Sequence, residues 1–210
     1  LCEAVSITPA SARSWRTAND ISGVALGPSN RKASQPRSVA ICAHFAANAF
    51  ATRHARLAFP TWWLNEGLGY YFEKQVTGSI QTFSTDVGVA KYAEQPSGDA
   101  KGDPWLDAAQ WNNLVLQLVR TGRDPQLDKI KGKNLYEAEN RLSVQDLAKA
   151  HSVVTFLILD DPKKFAAFFH DAKAGGGGSD VEREVAAVIK HYGSYGKIEE
   201  RWKAYALNGY

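Results

Sequence analysis

Over most of this chain the apolar residues recur at helical spacing rather than in alternation. From Ser38, which can act as a cap, Val39, Cys42, Phe45/Ala46 and Ala49/Phe50 fall on one stripe of a helix. Pro60-Thr61 predicts the next start, with Thr61 as N-cap. Behind it Leu64, Leu68, Tyr71/Phe72 and Gln75/Val76 mark one face, Trp62, Glu66, Tyr70 and Glu73 another, and Gly78 the end. Gly67 and Gly69 are poor helix residues and predict close approach of another backbone. Asp103-Pro104 predicts a helix through Trp111, Leu114, Val115 and Leu118 that stops at Gly122. Residues 124–141 read as mixed, with one or two short helical turns. Ser143-Val144-Gln145-Asp146 resembles a capping box for a helix to about Leu159. Asp161-Pro162 starts another, with Phe165, Phe168 and Phe169 as its apolar face. The glycine run at 175–179 is a flexible break, whether native or a linker being left open. Residues 180–192 and 198–207 complete the set.

The front of the chain differs. Residues 1–37 are rich in Ser, Ala, Pro and Asn and hold one expected strand at 23–26, closed by Gly27-Pro28. The division expected is therefore an extended segment at 1–37 and a helical domain at 38–210.

Composition narrows the function classes. With 44% hydrophobic and 22% charged residues, 210 residues suffice for a real core. The net charge of +3 is spread along the chain, and without clustered Lys and Arg no nucleic-acid partner is expected. No apolar run approaches the ~20 residues that span a bilayer. The chain has no methionine, so it reads as a trimmed or partial product. Export to a periplasmic or extracellular space is an expectation, with the compartment open. Of the two cysteines, Cys2 and Cys42, a disulfide is one reading and a free, buried Cys42 the favoured one.

The stretch from Cys42 to Glu73, CAHFAANAF…PTWWLNEGLGYYFE, carries the candidate chemistry. A two-histidine zinc peptidase needs histidines at i and i+4 on one helical face, a glutamate beside the first as general base, and a third ligand from elsewhere. In WWLNEGLGYYFE, one helix and one turn after His44, the chain resembles the gluzincins, the peptidase-MA-like metallopeptidases. Their His-Glu-x-x-His helix is followed by a glutamate ligand in a Trp-Leu-x-Glu-Gly-Leu-Ala-x-Tyr-x-Glu context. The helix AKAHSVVTFLI, the two short helices after it and the closing Trp-containing helix are also similar, so the resemblance extends over 39–207 and is strongest to uncharacterised, often exported bacterial members. It implies a mainly α (α+β) fold, with a zincin-like active helix, a C-terminal helical bundle and a short, reduced N-terminal α/β segment.

Residue by residue, the resemblance places His44 at the first zinc ligand and Glu66 at the third. It places Phe45 at the general base and Asn48 at the second histidine. Phenylalanine accepts no proton, and losing general base catalysis is worth ~10²–10⁴-fold in rate. Asparagine is a weak substitute for imidazole on zinc. Hence no catalytic residue is expected, with His44 and Glu66 as vestigial metal positions, and with Asn48 and Trp62 lining a groove beside His44 and Phe45. His54 follows His44 by nearly three turns, ~15 Å along the helix, too far to share an ion. His151, on the helix behind the site, is not expected to ligate. His170 and His191 sit near helix ends, where the dipole favours them.

Three readings follow. The favoured one is a catalytically inactive peptidase-like domain, a binding or assembly module with a protein or peptide partner and no cofactor. The alternative is a divergent zinc hydrolase using His44, Glu66 and an unidentified ligand, with both side chains ~2.0–2.2 Å from one ion. The third is a helical scaffold in which the spacing is accidental and His44 and Glu66 lie far apart.

Overall fold

A computed structural model describes residues 37–53 (side chains of 39–50), 60–80, 108–174 and 178–209. The chain divides into two units, Leu1–Gln35 and Pro36–Tyr210, and all described residues belong to the second. They form eight α-helices: α1 (Arg37–Arg53), α2 (Trp62–Thr77), α3 (Trp111–Thr121), α4 (Leu127–Ile130), α5 (Val144–Asp160), α6 (Pro162–Lys173), α7 (Asp180–Tyr192) and α8 (Tyr195–Leu207). Among the described residues there is no strand, only an isolated bridge between Asn134 and Arg141. The mainly α expectation is met. The expected strand at 23–26, the helix start at Asp103-Pro104 and His54 lie outside the described residues.

Local chemistry sets most boundaries. Ser143 and Asp146 form a reciprocal capping box on α5, and Ser179 and Glu182 form one on α7. Asp161 caps α6 ahead of Pro162. Gly78 and Gly122 end α2 and α3 in the left-handed region, at φ 76° and 66°. Two expected caps act otherwise. α1 is already helical at Arg37, so Ser38 lies inside its first turn. Thr61 stands at the N-cap of α2 without a side-chain capping bond; its hydroxyl donates to the Glu184 carboxylate instead.

α2 is the central element, packed between α1 and α5. Both of its faces are therefore buried: Leu64 and Leu68 on one, Glu66, Tyr70 and Glu73 on the other. The expected apolar stripe continues as far as Tyr71, which is half-buried against the core, while Phe72 and Val76 are exposed. Two glycines permit the close packing. A Cβ on Gly67 would sit 2.7 Å from the Ala150 carbonyl oxygen of α5, and one on Gly69 would sit 2.6 Å from Asn48 Oδ1 and 2.8 Å from His44 Cε1 of α1.

α1 corrects the reading of its pattern. Ala40, His44 and Ala47 are buried, whereas Val39, Phe45 and Phe50 are exposed. The helix packs through its small residues, which let it approach Gly69, and turns its large apolar residues outward. Cys42 is also not free: it is disulfide-bonded, contrary to the favoured expectation. The chain's other cysteine, Cys2, lies outside the described residues.

The rest of the body packs on α5 and α8, with Trp63, Trp111 and Trp202 fully buried. Trp202 donates its indole N–H to Ser152 Oγ (2.8 Å). The buried Lys149 ammonium bonds Asp124 (2.9 Å) and Glu199 and lies 4.6 Å from the centroid of the Trp202 ring, the pairing a buried cation requires. No described helix is long and apolar enough to cross a membrane.

Candidate functional site

His44 and Glu66 come together. His44 is fully enclosed (0% exposed), and its two ring nitrogens face two carboxylates of α2. Nε2 lies 3.3 Å from Glu66 Oε2 and Nδ1 lies 3.2 Å from Glu73 Oε2. Glu66 and Glu73 are two helical turns apart and so share a face. Asn48, one turn after His44, donates its amide N–H to Glu66 Oε1 (3.2 Å). The Tyr70 ring closes the side of the imidazole, edge to face at 4.6 Å between centroids. The wide His44–Glu66 separation attached to an accidental scaffold is not found.

The electrostatics follow from this enclosure. Burial alone pulls the His44 imidazole down, but the hydrogen bonds and charges of Glu66 and Glu73 outweigh it and push it up to about 9. At neutral pH His44 is an imidazolium, with two N–H donors and no lone pair.

The zinc that the resemblance implies needs three protein donors with lone pairs turned to one point and a fourth position left open. In this arrangement both nitrogens of His44 are engaged by carboxylates and Asn48 turns an N–H toward Glu66. Phe45 has no donor atom and is 59% exposed. Among the described residues no group of three or more His, Cys, Asp or Glu side chains is placed to hold a metal ion. These residues as arranged do not fit such an ion, and no chemical step through one follows from them.

No family model, no curated protein and no solved structure matches this chain.

The expected groove divides. Trp63 is in the core, while Trp62 is half-buried and meets Tyr136 edge to face at 5.2 Å. Together they border a cavity of about 380 Å³ that Lys131, Lys133 and Glu137 also line. His44, Phe45, Asn48 and Glu66 are not among its lining residues. Trp62 therefore opens on a surface of its own, and Asn48 belongs to the His44 cluster.

The remaining histidines separate by environment. His191 pairs with Asp171 (2.7 Å), and His170 lies 3.5 Å from the same carboxylate, each in the last turn of its helix. His151 is buried in the middle of α5, and burial, with the charge of Lys74, pulls it down to about 3.

Among the buried carboxylates, Glu73 and Glu184 are the two whose partners bear on the site and its surroundings. Glu73 pairs with His44, and its signal was available in the seven-residue interval from Glu66 along one face. Glu184 on α7 accepts hydrogen bonds from Thr61, Trp63 (2.9 Å) and Tyr195. Burial nonetheless pushes its carboxyl up to about 7. Nothing local marks Glu184, because its donors come from other elements.

Proposed function

We propose that the helical body is a peptidase-like domain without hydrolytic chemistry, serving as a binding or assembly module for a protein or peptide partner within a larger complex. One observation carries this reading: His44 is locked between Glu66 and Glu73. A catalytic histidine ligand must offer a lone pair to an ion that water and substrate can reach. His44 instead forms the central pin of the α1–α2 contact. Phe45, at the position of the general base, faces outward with Val39 and Phe50. That exposed apolar helix face, like the Trp62–Tyr136 cavity, is the kind of surface a partner covers.

The disulfide at Cys42 supports an oxidising compartment, in keeping with export. Spread charge supports a protein partner over a nucleic acid.

The test is the double back-substitution Phe45→Glu with Asn48→His. It restores a base and a second imidazole one turn from His44, and the variant is expected to take up zinc at one equivalent by calorimetric titration while the parent does not. A folded double variant that takes up no zinc would remove the peptidase ancestry from the account.

A further inference from the structure

A second polar site is built by α2, α3, α5 and α8 and shares no lining residue with the His44 cluster. His151 sits in the middle of α5 and is 2% exposed. Among the described residues neither of its ring nitrogens has a hydrogen-bond partner, and one turn further on the buried Thr155 hydroxyl has none either. Buried polar groups are ordinarily satisfied, and a helical threonine ordinarily has its own helix carbonyl to turn to. Here both side chains line a cavity of about 260 Å³, whose other walls are Lys74 of α2, Asn112 of α3, Ser152 of α5 and Tyr205 of α8. Four helices thus converge on a space with three unused polar atoms.

The lining selects a class of ligand. Among the described residues it contains one cation, Lys74, an amide, an imidazole and hydroxyls, and no carboxylate. The Ser152 hydroxyl already accepts from Trp202. The volume lies below that of ordinary drug-sized pockets. The geometry points to a binding site for a small oxyanion, such as the carboxylate of a short organic acid or inorganic phosphate, which pairs with Lys74 and accepts hydrogen bonds from His151 and Thr155. The neutral imidazole carries one N–H and one lone pair, so it suits an anion that brings a hydroxyl of its own beside the charged group. This site is independent of the His44 cluster and of the reading placed on it.

The experiment is a titration of the full chain with sodium lactate, sodium acetate and sodium phosphate in separate arms, at constant ionic strength. It is followed by the side-chain nitrogen and carbon signals of the histidines. A saturable shift of His151 is expected, with exposed His170 unmoved, and the arm that saturates at the lowest concentration identifies the anion. Lys74→Gln is expected to weaken binding about tenfold. Thr155→Val, which keeps the side-chain shape, is expected to weaken binding without lowering the melting temperature, so that lost binding is not lost folding. The site is overturned if no arm moves His151 saturably. It is also overturned if His170 shifts in parallel, or if both variants bind as the parent does.

Discussion

His44 Nδ1 lies 3.2 Å from Glu73 Oε2 while its Nε2 lies 3.3 Å from Glu66 Oε2, so one imidazole bridges two carboxylates two turns apart on α2. The ring is fully buried and its protonated form is favoured up to about pH 9. A histidine whose folded pKa stands above the unfolded 6.5 stabilises the fold fully below pH 6.5 and loses that contribution as pH rises through about 9. Denaturant unfolding should therefore show stability falling between those limits, by roughly 3 kcal/mol in total. His44→Gln should be less stable at pH 6 and flat across the same window. A parent curve that rises or stays level from pH 6.5 to 9 would remove the imidazolium from the account.

Glu184 makes a second pH prediction in a different window. Its burial raises the carboxyl from 4.5 to about 7, against the opposing hydrogen bonds of Thr61, Tyr195 and Trp63. An acid raised on folding binds a proton more tightly in the native state, so stability falls as pH climbs from 4.5 to about 7. His151, held near 3, works in the opposite direction below 6.5, so the quantity to read is the difference between parent and Glu184→Gln. That difference should shift in favour of the variant by roughly 3 kcal/mol from pH 4.5 to 7. A difference independent of pH would show that Glu184 titrates normally.

Gly67 and Gly69 make a steric prediction. Alanine improves helix propensity by about 1 kcal/mol, yet at Gly67 its methyl meets the Ala150 carbonyl and Val154 at 2.7 Å. Overpacking of this kind costs about 1–3 kcal/mol, so Gly67→Ala should lower the melting temperature in spite of its propensity. Gly69→Ala meets Asn48 and His44 instead. It should also displace the imidazole and move its titration toward the ordinary value. An increase in melting temperature for either variant would mean that the helices are further apart than described.

The disulfide at Cys42 predicts that no thiol reacts in the denatured, unreduced protein. Reduction should lower stability by about 2–4 kcal/mol. Two reactive thiols per chain in denaturant would contradict the bond.

What could be read from the sequence followed the range of the forces involved. Ser143, Asp161 and Ser179 act within their own first turn, so their caps were visible in three or four consecutive residues. The outward turn of α1 was not visible, because apolar spacing marks a stripe without saying what it packs against. Ala40, Ala47 and Gly69 together would have indicated a contact made by small residues, but only once the two helices were known to be partners. His44 and Glu66 were legible through the spacing of a motif. Glu73 was legible in principle, on the same face as Glu66, but it had no expected role. Glu184 was beyond reach, since its donors Thr61 and Trp63 belong to α2 and its entry while it sits on α7. The unpartnered nitrogens of His151 are visible only when four helices are assembled around them.

The central claim of the proposal is that the frame around His44 does not carry out hydrolysis. The most direct measurement is the zinc content of the purified full chain by elemental analysis, taken together with cleavage of a mixed peptide library before and after zinc addition. The account predicts zinc well below one equivalent and no cleavage that distinguishes the parent from His44→Ala. Stoichiometric zinc with peptide cleavage that His44→Ala abolishes would contradict it.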